Sequence, residues 1–287
     1  VTACINDQQF YMTTTTGGAA KVLNWLERWH QTEWPELKVW MSSVTDHWST
    51  VAVVGPKSRE VLSRLCSDID LSPEAFKFMD WREGTVAGLP CRVFRISFSG
   101  EVSFELNVES GYGQALWEAV MAAGADFNIT PYGTESMHVL RAEKGFIIVG
   151  QDTDGSMTPV DLGMSWALSM KKSYSFLGKR SLARSDTVKS DRKQLVGLMP
   201  EDATHVLAEG AQIVASPDIQ TVPAPMLGHV TSSYLSPELG RSIAMAVVRG
   251  GAKREGERLY AMSKGRYTPV KVVSSVFIDP KGERQHA

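Results

Sequence analysis

The chain reads as an α+β protein, a body of alternating hairpins and helices in the ferredoxin-like manner followed by a small β-barrel or sandwich. Three observations predict this. Arg92 to Val108 carries the β-branched and aromatic content of a strand pair, with Ser99-Gly100 as its turn. Segments such as Ala19 to His30 and Gly111 to Ala123 place apolar residues at helical spacing. Beyond residue 193 only short strands separated by turns remain. With 287 residues and 43% hydrophobic content, the chain can bury two or more cores.

In order, Val1 to Ile5 is a strand running into the Asn6-Asp7 turn, and Phe10 to Thr16 is its partner, ending in four threonines and Gly17-Gly18. The helix over Ala19 to His30 has Val22, Leu23, Leu26 and Trp29 on one face. Lys38 to Met41 and Trp48 to Val54 follow as strands. Gly55-Pro56 then opens a helix to about Cys66, because proline is tolerated in a first helical turn. Leu71 to Lys77 is irregular, Trp81 to Val86 is a strand, and Gly88-Leu89-Pro90 leads into the central hairpin. The helix after it turns Leu116, Trp117, Val120 and Met121 inward. Thr134 is a candidate cap for a helix that Gly145 stops. The polar run Ala183 to Lys193 is the domain boundary, giving a body over 1–182 and a β-rich domain over 193–287. The strands of the latter are expected over Gln194 to Met199, Ala211 to Val214, Leu227 to Ser232, Ser242 to Val248 and Pro269 to Val273.

Composition narrows the function. A net charge of −2 gives no basic surface for nucleic acid, and no apolar run is long enough to cross a membrane. Three scattered cysteines without a CxxC predict buried free thiols and a reducing, cytoplasmic setting. Six scattered histidines form no ligand pair, and Gln151 to Ser156 lacks the closing Glu of a calcium loop, so no metal is expected. No phosphate-cradling glycine loop is present. Cys66 or Cys91 could act as a nucleophile only beside a histidine in a positive environment.

Glu105, between Phe104 and Leu106, is the most telling residue. Apolar neighbours make it a candidate buried carboxylate in need of donors, with a solvated strand face as the alternative for both Glu101 and Glu105. Arg141, on the helix before Gly145, either meets a ligand or pairs with Glu143 or Glu101.

Four motifs recur in order: Gly100-Glu101-Val102-Ser103-Phe104-Glu105, Leu140-Arg141-Ala142-Glu143-Lys144-Gly145, Gly150-Gln151-Asp152 and Thr158-Pro159. Together with Gly55 to Leu62 they resemble the folate-binding family of the glycine-cleavage T-protein, over almost the whole chain to about Ile278. Within that family the wording Gly145 to Gly155 is most similar to the C-terminal half of sarcosine oxidase alpha subunits. The resemblance implies a ferredoxin-like folate-binding body of the T-protein type and a C-terminal barrel. It also implies transfer of a one-carbon unit, as an iminium or formaldehyde from an oxidised N-methyl amine, onto tetrahydrofolate to give 5,10-methylenetetrahydrofolate. It puts Glu105 against the N–H edge of the pterin, where one carboxylate accepts two hydrogen bonds, with Glu101 in the same motif. Arg141 is put near the ligand, where a guanidinium suits the carboxylated folate tail. Thr15 falls nearest the family's ligand-contacting Asn, and Phe98, Phe104 and Trp166 are the candidate pocket walls, since Val149 replaces an aromatic residue common in the family. The family's catalytic acid belongs to a turn that would precede Val1. It is therefore expected upstream of this chain, which reads as a fragment already inside a strand; Asp7 does not match that motif. FAD, FMN and NAD are implied only for other parts of an assembly with flavoprotein subunits. Two alternatives stand beside this reading: a stand-alone aminomethyltransferase serving a lipoyl carrier, and a non-catalytic folate-binding module.

Overall fold

The strand pair predicted around the Ser99-Gly100 turn forms the middle of a four-stranded antiparallel sheet. The computed structural model describes residues 1–287. The chain divides into two compact units, one of residues 1–97, 101–131 and 284–287, the other of residues 98–100 and 132–283.

In the first unit, strands β1 (Thr2–Asn6) and β2 (Gln9–Met12) form a hairpin, and helix α1 (Ala19–Glu33) follows. Next come β3 (Trp48–Val54), α2 (Ser58–Ser63), β4 (Trp81–Val86), β5 (Leu89–Phe94), β6 (Ser103–Glu109) and α3 (Gly113–Gly124). The sheet order is β3-β6-β5-β4. Because side chains alternate across a strand, Phe104, Leu106 and Val108 of β6 turn to one face. There they join Val53, Val93, Leu62, Leu116 and Val120 in a core under α2 and α3. Each such side chain, fully buried, contributes about 1.5–3 kcal/mol. The opposite face carries a smaller cluster of Ala3, Phe94 and Ile96, with Tyr11 and Trp81 packed on it. Seven of the eight tryptophans lie in this unit.

The second unit opens with α4 (Thr134–Glu143). Thr134 is its first helical residue and the cap is Gly133, one place earlier than expected. Gly145 ends the helix with φ 75°, a conformation that glycine adopts without penalty, and a Cβ there would lie 2.5 Å from the Ser275 carbonyl oxygen. Residues 144–192 run through turns and short 3-10 segments. The predicted β-domain is a closed six-stranded barrel of order β10-β7-β12-β11-β8-β9. Its strands are β7 (Lys193–Pro200), β8 (Gln212–Val214), β9 (Gly228–Ser236), β10 (Arg241–Arg249), β11 (Arg258–Ser263) and β12 (Arg266–Val273). Leu198, Ile213, Val230, Leu259 and Val270 are among the residues filling it. A last short helix, α5, spans Glu283–His286.

Four expectations change. Trp117, expected to turn inward on α3, is exposed. Lys38 to Met41 forms no strand, and Val39 and Trp40 are exposed. The threonine run Thr13–Thr16 lies beyond the end of β2. Cys4 is exposed, while Cys66 is half-buried and Cys91 buried. Arg184 to Asp191 is exposed apart from Thr187 and lies outside any strand. Trypsin is therefore expected to nick first at Arg184 or Lys189, releasing a stable piece that begins near Lys193. Mass spectrometry of the early fragments checks this, and first cuts elsewhere would remove the proposed boundary.

Candidate functional site

Glu105 is placed by register. It pairs with Ala52 of β3 and Phe94 of β5, so its side chain leaves the sheet on the face opposite the main core. That face is aromatic. Tyr11 of β2 stacks on Phe94 at 5.8 Å and meets Trp48 edge-on at 6.1 Å, while Trp81 stacks on Phe94 at 6.3 Å. The Trp81 indole N–H donates to the Cys4 carbonyl at 3.2 Å, which ties β4 to the β1-β2 hairpin. The Arg92 guanidinium lies over Trp48 at 4.7 Å and Tyr11 at 5.4 Å, and its Nε donates to Glu83 at 2.8 Å. Asn107, two residues along β6, accepts from Thr50 at 2.7 Å.

The Glu105 carboxylate makes no hydrogen bond or ion pair, unlike Arg92 and Asn107 beside it. Burial pushes its pKa up from the ordinary carboxylate value. Burial also raises the Tyr11 hydroxyl, with Arg92 opposing. The result is a partly desolvated acceptor beside flat rings, suited to a planar heterocycle that offers N–H donors.

Arg141, on α4, is fully buried. Its partner is neither Glu143 nor Glu101 but Asp152, with Nη1 donating to Oδ2 at 2.5 Å. Arg141 also donates to the Phe146 carbonyl at 3.0 Å, to Ser232 Oγ at 2.7 Å and to Tyr234 at 3.3 Å. Asp152 accepts in turn from Thr231 at 2.5 Å, from Ser232 at 2.7 Å and from the Ile148 N–H at 2.9 Å. The guanidinium is thus committed to joining α4, the turn at Asp152 and β9.

The remaining candidates separate. Phe104, expected as a pocket wall, is completely buried in the core and meets Phe76 edge-on at 5.8 Å; as the neighbour of Glu105 on a strand it faces the other way. Phe98 is partly exposed and stacks on Phe146 at 6.4 Å. Trp166 is 81% exposed, in a short turn. Thr15 is exposed just before a 3-10 turn. Glu101 accepts an ion pair from Arg284 at 2.8 Å. Burial holds the Cys66 and Cys91 thiols up at about 11 and about 12, so neither offers a thiolate near neutral pH. Sequence reasoning did not find Tyr11, Trp48 or Arg92. For Arg92 and Phe94 the two-residue period of β5 carried a signal, while Tyr11 and Trp48 arrive from other elements.

Comparison with known proteins bears on the fold and the family. Residues 1–172 match the family model of the GCVT N-terminal domain, and residues 193–279 that of the glycine cleavage T-protein C-terminal barrel domain. The sarcosine oxidase subunit alpha of Corynebacterium sp. (strain P-1) is 52% identical over 99% of this chain, which spans 30% of that subunit. The aminomethyltransferase of Halothermothrix orenii is 27% identical over 96% of this chain and 72% of its own. The crystal structure of glycine cleavage system aminomethyltransferase T from Bartonella henselae shares the fold, with a TM-score of 0.74 at 23% identity over 91% of this chain and 66% of that one. Sheet, barrel and motif-bearing hairpin together place this chain in the glycine cleavage T-protein family.

Proposed function

We propose that the chain is the tetrahydrofolate-binding part of a sarcosine oxidase-like enzyme, in which a one-carbon unit from an oxidised N-methyl amine passes to tetrahydrofolate. The observation that carries this reading is the Glu105 carboxylate, desolvated, without a partner and flanked by aromatic rings. Family membership and the 52% identity to a sarcosine oxidase alpha subunit support it. Tetrahydrofolate, when bound, supplies the amines that take up an iminium or formaldehyde carbon to give 5,10-methylenetetrahydrofolate.

The chain's own residues bind and orient. Glu105 accepts from the pterin N–H edge, and Tyr11 and Phe94 offer apolar surface beside it. Thr15, Glu101, Phe98 and Trp166 are proposed as further contacts, whereas Arg141, paired with Asp152, is left a structural role in its own unit. The amine, the flavin-bearing partner subunits and the cofactors FAD, FMN and NAD belong in this proposal to the rest of the assembly. The match over 72% of an aminomethyltransferase favours, as a second reading, a stand-alone transferase. Flavin absorbance in the native complex distinguishes the two.

Calorimetry of tetrahydrofolate binding to the chain tests the proposal, and absence of binding overturns it. The sign of the pH dependence is also fixed. Burial raises the Glu105 pKa, so the protonated carboxyl persists to higher pH than in an unfolded chain. Its contribution to stability is fully present below the unfolded pKa and is lost as pH rises through the folded one. A ligand whose N–H groups donate to the carboxylate pulls that pKa down. Binding is therefore expected to release a proton in this window and to weaken as pH falls through the raised value. Titration in buffers of different ionisation enthalpy measures the release, and proton uptake would contradict it.

A further inference from the structure

The last four residues of the chain, Arg284–Ala287, group with the first unit. There they meet two arginines. Arg95 follows β5 directly and is 1% exposed, yet it meets no side-chain carboxylate. Its acceptors are three main-chain oxygens: Ser103 at 3.4 Å, Gln285 at 2.8 Å and Ala287 at 3.0 Å. Arg59 donates to the same Ala287 oxygen at 2.9 Å, and both guanidiniums lie over the Phe104 ring, at 5.4 and 5.2 Å. Burial, with Arg59 nearby, lowers the Arg95 pKa to about 10. The His286 ring meets Phe78 edge-on at 5.1 Å, and Arg284 pairs with Glu101 at 2.8 Å.

A buried guanidinium is costly unless its donors are satisfied. Two of the three acceptors of Arg95 come from the final residues, while its Nε has none, so this segment meets part of that need. Its contacts are also spaced in a telling way. Arg95 opens the connection between β5 and β6 and also holds the carbonyl of Ser103, where β6 begins. Glu101 lies two residues before that point. The final segment therefore grips both ends of the connection whose outgoing strand carries Glu105, and Glu105 pairs with Phe94, the neighbour of Arg95.

We infer that Arg284–Ala287 form a strap that sets the position of the β5-β6 connection, with Arg284 and Arg95 as positioning residues for the Glu105 site. The functional part of this inference rests on the folate reading given above, whereas the structural part does not. The strap couples to the site through Glu101, a surface ion pair that a charge swap can break and restore.

The test uses the full chain, Arg284→Glu, and the swapped pair Arg284→Glu with Glu101→Arg. Hydrogen exchange is read over residues 101–106 and 284–287, with the barrel amides as the control for folding. Arg284→Glu is expected to speed exchange about tenfold in both segments and to leave the barrel unchanged, and the swap is expected to recover most of the protection. Tetrahydrofolate affinity should fall about three- to tenfold in Arg284→Glu, whereas the swap, which replaces Glu101 itself, is read by exchange alone. Arg284→Gln, which keeps a donor without the charge, should show the same order with a smaller step. Exchange over 101–106 that ignores Arg284→Glu and Arg284→Gln, or a swap that restores nothing, would overturn the strap. If the parent chain binds no tetrahydrofolate, the functional reading falls, and the exchange data still decide the strap.

Discussion

Replacing Asp152 with alanine is expected to destabilise the barrel-bearing unit by about 3–5 kcal/mol, the cost of leaving one member of a buried ion pair alone. The reason is geometric. Arg141 and Asp152 both have fully buried side chains, so water cannot replace the lost carboxylate, and the Arg141 Nε already lacks a partner. The Ser232 hydroxyl and the Ile148 amide would lose their acceptor too, while Thr231 keeps the Met245 carbonyl at 3.2 Å. Asp152→Asn should cost nearly as much, since it keeps the size but removes the counter-charge. Arg141→Met with Asp152→Leu should lose less than either single charge deletion, because no isolated charge remains. Urea unfolding followed by far-ultraviolet circular dichroism measures all three. A loss below about 1 kcal/mol for Asp152→Ala would mean that the pair is as weak as a solvent-screened one.

Tetrahydrofolate binding is expected to weaken by about 1.5–3 kcal/mol in Glu105→Gln, roughly ten- to 150-fold. The variant keeps the shape of the side chain but exchanges one acceptor for a donor facing the pterin edge. Glu105 holds no other group in place, so the parent and the variant should unfold at similar denaturant concentrations. That contrast separates a binding role from a structural one. Equal affinity with equal stability would return Glu105 to being an ordinary half-buried strand residue.

The central hairpin was legible because its residues satisfy two rules at once, β-rich content and a turn that accepts glycine; Gly100 indeed has φ 83°. Helix α4 and its stop at Gly145 were legible for the same kind of local reason. The counter-charge of Arg141 was not. Candidates close in sequence were Glu143 and Glu101, whereas the network is completed by Ser232 and Thr231, about 80–90 residues further on, in a strand whose register only the closed barrel sets. Strand β11 escaped notice because Arg258-Leu-Tyr-Ala-Met-Ser263 mixes good and poor strand formers. Its pairing with both β8 and β12 gives it its conformation. Lys38 to Met41 failed in the opposite direction. Val39, Trp40 and Met41 have the local content of a strand, but no neighbouring strand pairs with them. The aromatic face around Glu105 drew on four strands, and no single window of sequence contains it.

The uneven placement of the tryptophans has an optical consequence. None lies between Lys193 and Val273, so the barrel carries only tyrosine chromophores, Tyr234, Tyr260 and Tyr267. Indole emission excited near 295 nm will thus follow mainly the sheet-bearing unit, Trp166 being the one indole outside it, with Trp48 and Trp81 beside Tyr11 and Phe94 as the emitters closest to Glu105. Opening of the barrel alone will leave that signal almost unchanged. Filling of the Glu105 face by a light-absorbing heterocycle should quench it by energy transfer. One protein thus offers two separable channels, indole light for the sheet and its ligand, and amide dichroism for both units together.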